Sequence, residues 1–399
     1  MKRTRIAWGW RWLWSALAAA MMTGLTSAVA ENITPAEPEE TMRNGPQLQQ
    51  VEVNVDATRV LEPFNRNLFS IAGYAQLFQY GSELAKKTAE QLQLEGTQAR
   101  IETMMDQSFP EPDRFVPENM FRFVDNTDDM YYRLIRQEGM EPVLLLAYNT
   151  PWLTENGQLN DPPKDPAAWA QAAAKIIEHY NGSGEEYELN VKYVEIWNEP
   201  NLTMFWSTGD WEQYFELFNV TADIIHEHFP GVMVGGPVLS PANQPEAFGK
   251  AFIDACGDTM DFFVYHAYGD PVEKISADIE MWAEDIREHA NREPKLMVTE
   301  SDNWFNGYGK TDYMIRRQFA LLEHADVMIG FHHFTLMEYL EGNYVFGVVN
   351  QDGSVIEGTY WPYWLFRDSR GSIVETQVNQ KPSPSLDAFN PSVIGTKSD

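Results

Sequence analysis

"YVEIWNEPN", residues 193–201, decides how the rest of the chain is read. It opens as a buried strand, with the strand-favouring residues Tyr193, Val194 and Ile196. Within three residues it presents an indole, an amide and a carboxylate, Trp197, Asn198 and Glu199, and Pro200 stops it. Proline brings no N–H to a ladder, so pairing ends just where Glu199 has to be exposed. A strand that runs apolar and then ends in polar chemistry belongs to a parallel α/β architecture, in which function sits where strands end and loops begin.

Working outward, seven further stretches read as strands: "NLFSIAGY" (67–74), "QARIE" (98–102), "PVLLLAY" (142–148), "VMVGG" (232–236), "MDFFVYH" (260–266), "KLMVTE" (295–300) and "DVMIGFHHF" (326–334). With "VKYVEIW" (191–197) they make eight, and several are near-continuous apolar runs, as in strands covered on both faces. Amphipathic stretches lie between them at 82–96, 165–184, 210–231, 275–293 and 311–325. Asp165-Pro166 and Asp210 cap two of these, and Gly96 and Gly231 stop two. Eight βα units over roughly 300 residues predict an α/β fold of the (β/α)8 TIM-barrel kind. The competing open, doubly wound sheet normally carries a glycine-rich phosphate turn, and "VGGPVLS" (234–240) is not one.

The ends read differently. Residues 1–30 carry Lys2, Arg3 and Arg5, an apolar run and Ala28-Val29-Ala30, which predicts a signal peptide cleaved after Ala30 and a secreted or periplasmic protein. No other stretch is long and apolar enough to span a bilayer, so no membrane insertion is expected after cleavage. Residues 31–50 read as a polar linker, and "VEVNVD" (51–56) as a strand opening the catalytic region 51–370. Residues 371–399 read as one strand and a tail, too short for a second domain; the strand is expected to pair with "VEVNVD" in a small sheet beside the barrel.

Composition narrows the function. A chain of 399 residues with 44% hydrophobic and 13% aromatic content can bury one large core or two ordinary ones. The net charge of −30 disfavours nucleic acid and anionic membrane surfaces as partners. The single cysteine, Cys256, rules out an intrachain disulfide and reads as a buried small residue near a helix end. Nothing in the sequence sets the oligomeric state.

The barrel reading directs attention to the strand ends. The fourth strand ends in Asn198-Glu199, the seventh in Thr299-Glu300, the sixth in His266-Ala267-Tyr268 and the second in Arg100 and Glu102, while the eighth carries His332 and His333. Two glutamates across a barrel mouth are the minimum for retaining glycoside hydrolysis, with carboxyls about 5–5.5 Å apart. One must carry a proton to the leaving group, and the other must stay ionised beside donors or a cation. Arg100, His266 and Tyr268 are candidates for holding it. Glu102, Glu338 and Glu341 are rivals to Glu300, and Arg100 has a structural alternative, pairing with Glu102 or Asp125.

With these residues in place, "VEIWNEPN" followed by "LTMFW", "VGGP", "DFFVYHAY" and "MVTES" resembles clan A glycoside hydrolases, and most closely family 39, the β-xylosidase and α-L-iduronidase family. The resemblance implies that Glu199 is the acid/base, Glu300 the nucleophile, Asn198 a hydroxyl-binding amide, and Arg100, His266 and Tyr268 site residues. It implies an oligosaccharide or polysaccharide substrate with β-linkages, β-xylosidase-like or another plant or algal β-glycan. Exo and endo action (agarase-like enzymes among the latter) both stay open. Two departures stand out. The family's eighth strand typically shows Tyr-Trp-Thr-Phe, whose indole floors the sugar site, whereas this chain has Phe331-His332-His333-Phe334, so His332 is expected to take that place. The family's β-sandwich has only its beginnings here.

No cofactor or catalytic metal is expected. His226 and His228 lie two apart on a helix, His332 and His333 alternate across a strand, and no HExxH motif exists. Asn32, Asn181, Asn201 and Asn219 match the N-glycosylation pattern, and Asn201 lies in the expected site loop, where a glycan would block substrate. Trp152, Trp206 and Trp304 are the aromatic subsite candidates, with Trp197, Phe205, Tyr308 and Tyr344 beside them. A barrel that binds carbohydrate without turnover is the competing function class.

Overall fold

The structure, a computed structural model, describes residues 51–380 and 395–397 apart from residue 74 and residues 113–136, 182–188, 291, 304, 306 and 339–345. The segments read as signal peptide and linker lie outside the described residues, as do Trp304, Tyr344, Glu341 and Asp125. The chain divides into two units. Met1–Glu52 with Val378–Asn390 form one, mostly outside the described residues; Val53–Gln377 with Pro391–Asp399 form the other and hold everything discussed below apart from the ends of two strands of the small sheet.

Eight strands close into a parallel barrel in sequence order: β2 (Ser70–Gly73), β3 (Gln98–Met104), β4 (Glu141–Ala147), β5 (Tyr193–Ile196), β6 (Met233–Leu239), β7 (Phe262–Tyr268), β8 (Leu296–Asp302) and β9 (Met328–Phe334). The ring shuts between β2 and β9, with Ser70 opposite His332 and Ala72 opposite Phe334. All eight expected strands are present. Ends shift by a few residues, mainly because Arg66–Phe69 forms a 3-10 turn where strand was expected and because β5 stops at Ile196. The apolar runs are strands for the anticipated reason: β4 and β8 are buried along nearly their whole lengths, between lumen and helices.

The helices follow their caps. Asp165 Oδ1 accepts the Ala168 N–H at 3.0 Å at the start of Pro166–Asn181, and Asp210 Oδ1 accepts from Glu212 and Gln213 at the start of Trp211–His228. Pro245–Cys256, a helix not among the amphipathic stretches, follows β6 and ends in the buried Cys256. Among the described residues no helix is long and apolar enough to cross a membrane.

The barrel centre packs Val143, Val238, Phe262, Val264 and Met297. Gly235 makes room for this packing, since a Cβ there would sit 2.2 Å from Phe262 Cε2. Gly235→Ala is therefore expected to destabilise the fold by about 1–3 kcal/mol through overpacking, read as a lower denaturation midpoint; an unchanged midpoint would show that the Phe262 ring moves aside freely. Outside the barrel, β1 (Val51–Pro63), β10 (Ser372–Gln380) and β11 (Gly395–Lys397) form a three-stranded sheet in the order β1-β10-β11, and β10 and β11 pair antiparallel. The small terminal sheet was anticipated; among the described residues it is three strands and not a sandwich.

Candidate active site

The stretch 193–201 leaves the barrel in three moves. Trp197 still gives its N–H to Leu146 O of β4 at 3.0 Å, continuing the ladder one residue past β5. Its φ of +66° then turns the chain, and Glu199 follows with φ of +47°. Both are left-handed conformations for side-chain-bearing residues and cost about 1–3 kcal/mol each. The surroundings impose them. The Glu199 N–H donates to Val238 O at 2.9 Å, and Val238 itself stands at φ of +58° where β6 shifts register between Pro237 and Leu239. The bulge aims that carbonyl at Glu199. Tyr214 ties the same two strands from behind, its hydroxyl donating to Ile196 O at 2.9 Å and Pro237 O at 3.3 Å.

Pro200 is followed by a locked loop. Asn201 Nδ2 donates to Ser240 O and Ala242 O, and its Oδ1 accepts the Ser240 N–H at 3.0 Å. Its amide is only 2% exposed, so this match to the glycosylation pattern is a buried clamp between two loops. Asn181 is likewise engaged, donating to Val191 O and accepting the Val191 N–H.

Four strands converge on one polar cluster at the mouth. From β3, Arg100 gives one N–H each to Glu195 Oε2 (Nε, 2.8 Å), Glu300 Oε1 (Nη1) and Asn198 Oδ1 (Nη2, 2.9 Å). From β7, Tyr268 Oη donates to Glu300 Oε2 at 2.8 Å. His266 Nδ1 lies 2.9 Å from Glu199 Oε1 and 3.8 Å from Glu300 Oε2. A single ring nitrogen thus reaches both carboxylates, and the gap between those oxygens is at most the sum of the two distances. That bound lies below nearly all of the roughly 6.5–9.5 Å separation of inverting enzymes.

Burial by itself pushes the Glu300 carboxyl upward. The His266 imidazole, the Arg100 guanidinium and the Tyr268 hydroxyl outweigh it and hold Glu300 below its ordinary value. Arg100 is fully buried, which disfavours its charge, but the carboxylates of Glu195, Glu300 and Glu102 more than restore it. Burial pushes the Tyr148 phenol well up, and the negative charges of Glu102, Glu199 and Glu300 add to this.

Glu199, Glu300, Asn198, Arg100, His266 and Tyr268 are therefore together, as the sequence placed them. Three other expected residues make the hydrogen bonds described for them outside this cluster. Trp206 is fully buried, its Nε1 donating to Asp210 O and its ring edge-on to Trp197 and Tyr214. Trp152 is half-buried, with Nε1 bound to Phe109 O at 2.9 Å. His332 is fully buried, and its Nδ1 donates to Val298 O at 3.0 Å. Burial pushes its imidazole down to about 3, so the ring stands neutral, with Nδ1 on the strand backbone and Nε2 without a hydrogen-bond partner. His333 is buried too, with Nε2 on Phe346 O at 2.7 Å.

Two residues at the site were not foreseen. Tyr148, just past β4, takes the Asn198 Nδ2 N–H on its hydroxyl at 3.2 Å and stacks on Phe205. Glu195 was in plain view inside the opening stretch, and an acid in the middle of a buried strand was the signal. Among the rivals to Glu300, Glu338 accepts the amides of Phe346 and Gly347 at 2.6 and 2.9 Å. Among the described residues no group of three or more His, Cys, Asp or Glu is placed to hold a metal ion; His226 pairs instead with Asp261 at 2.7 Å.

The fold is a (β/α)8 barrel with two glutamates at its mouth, and in both respects the chain is similar to clan A glycoside hydrolases. The finer likeness is to family 39: the profile of Glycosyl hydrolases family 39 matches residues 115–298, which take in Asn198, Glu199, His266 and Tyr268 and stop just short of Glu300. A β-xylosidase of Geobacillus stearothermophilus is 29% identical over 155 residues, 37% of this chain and 30% of that one. The chain thus spans less than a third of the length of that relative. Among solved structures, a monomeric β-xylosidase from Caulobacter crescentus superposes with a TM-score of 0.65 at 19% identity, covering 82% of this chain and 73% of that one. A family 51 α-L-arabinofuranosidase from Thermotoga petrophila gives 0.61 at 15% identity, covering 83% and 76%.

Proposed function

We propose that this chain is an exported, retaining glycoside hydrolase that cleaves β-glycosidic bonds by double displacement. The observation that carries the reading is the unequal treatment of two neighbouring carboxylates. Glu300 is gripped by Arg100 and Tyr268 and held ionised, whereas Glu199 meets only the imidazole they share among the side-chain contacts described above. In the first step a Glu300 oxygen attacks the anomeric carbon, the glycosidic C–O bond breaks, and Glu199 gives its proton to the departing oxygen. In the second, Glu199 takes a proton from water, whose oxygen displaces Glu300 with net retention. Asn198 keeps one amide proton for a sugar hydroxyl while Arg100 and Tyr148 fix its plane.

A β-xyloside-like substrate is supported by the named activities of the β-xylosidases above, and export by the sequence of residues 1–30. The carboxylates of Glu102, Glu195 and Glu300 act on the buried guanidinium of Arg100, a setting that favours an uncharged sugar. The test is product analysis over xylan, arabinoxylan, β-glucan, agar and carrageenan, with aryl β-xylosides alongside. Proton NMR of the first-formed anomer from whichever is cleaved reads the stereochemistry. An inverted anomer would remove Glu300 as nucleophile, and no release from any substrate would leave only the carbohydrate-binding barrel.

The pH profile is a further check. Because Glu300 is held below the ordinary glutamate value of about 4.3, the acid limb of kcat/KM is expected below that pH. The sign carries over to stability. A depressed carboxyl contributes fully above its unfolded value, and that contribution is lost as pH falls through the folded one. An acid limb at pH 5 or above would contradict the assignment of Glu300.

A further inference from the structure

We propose that Glu195 is a positioning residue: a buried carboxylate that never meets substrate but sets where the Arg100 guanidinium stands and how strongly it grips Glu300 and Asn198. The inference rests on the hydrolase reading for its kinetic consequences, and on geometry for the rest. Glu195 is the third residue of the opening stretch, in the middle of β5 and fully buried. Its Oε2 takes the Arg100 Nε–H at 2.8 Å, and its Oε1 has no hydrogen-bond partner. A buried carboxylate with an unsatisfied oxygen is costly, and a strand needs none for its pairing. Its hydrogen bond fixes the Nε corner of the rigid guanidinium plane, and the orientation of that plane decides that Nη1 meets Glu300 and Nη2 meets Asn198.

The second effect is electrostatic. Arg100 faces the nucleophile together with His266 and Tyr268 from β7, Glu102 from its own strand, Tyr148 beyond β4 and Glu199 beyond β5. Within that ring Arg100 is the one side chain with a permanent positive charge, and Glu195 is the carboxylate on its far side. It balances part of that charge, so Glu300 is held ionised without being held inert. Too strong a cation lowers a carboxylate's reactivity along with its proton affinity.

Glu195→Gln keeps an acceptor for Nε–H and removes the counter-charge. Carbon-13 NMR of δ-labelled glutamate, with the Glu300 signal assigned through Glu300→Gln, follows the nucleophile's titration without requiring turnover. The midpoint is expected to move down relative to wild type; an unmoved or raised midpoint would overturn the proposal. On a cleaved aryl glycoside kcat is expected to fall about 30–100-fold with KM within about twofold, the signature of a misplaced group that acts in the transition state. Loss through KM alone would also overturn it. If Glu195→Gln does not fold, Glu195→Asp keeps the charge and shortens the reach: the Glu300 midpoint should stay at the wild-type value while kcat drops about tenfold, and wild-type kcat would overturn the proposal. Were the wild type to cleave nothing, the hydrolase reading would fall while the titration still judged Glu195.

Discussion

Glu300→Gln is expected to lower turnover by about 10⁴-fold or more while leaving the fold intact, the largest effect of any single change in this chain. Glutamine keeps an oxygen for the Arg100 Nη1–H, so the cluster retains its geometry. What disappears is the anionic oxygen that forms the bond to the anomeric carbon, and no neighbour replaces it. Glu199 lies beside the same imidazole but has the leaving group to serve in the proposed mechanism, and Glu338 is bound to two backbone amides elsewhere. Steady-state turnover on an aryl glycoside, with circular dichroism as the check on folding, measures the effect. A variant keeping more than about a hundredth of wild-type turnover would return the role of nucleophile to Glu102 or Glu341.

The second large effect separates the two glutamates. Glu199→Ala is expected to cut hydrolysis of an unactivated linkage by about 10²–10⁴-fold, because the departing alkoxide then leaves without a proton. With a dinitrophenyl leaving group, which needs no proton, the first step should survive and a burst of phenol should precede slow turnover. Added azide should enter the space vacated by the carboxylate and attack the glycosyl-enzyme, giving a β-glycosyl azide. Glu300→Ala should give no such product of retained configuration. A Glu199→Ala variant equally slow on both kinds of leaving group, and deaf to azide, would not be an acid/base variant.

Much of this was legible in the chain. The barrel could be read because strands buried on both faces must be apolar along their whole length, and β4 and β8 are. The candidate pair, Glu199 and Glu300, could be picked out because a barrel puts function at strand ends, so a carboxylate there is conspicuous. The aromatics resisted. Trp206 and Trp152 stand near the same loops as Glu199, but an indole packs a loop from behind as readily as it lines a site in front. His332 stands on the strand where it was expected, and what the sequence did not show is that its Nδ1 is taken by the backbone of β8.

By itself, the sequence determined the order of the strands and the chemical groups standing near their ends, because apolar runs and their polar stops are local properties of the chain. Only the tertiary structure decided which of those groups act on one another. Arg100 lies 95 residues from Glu195 and 200 from Glu300, and no local rule says which acid a buried guanidinium will choose. Closure of the barrel decides it, by bringing β3, β5 and β8 to one lumen where a charge has to find its partners or leave. The same closure turned Glu195, a mid-strand acid in "YVEIWNEPN", into the partner that holds Arg100 in place.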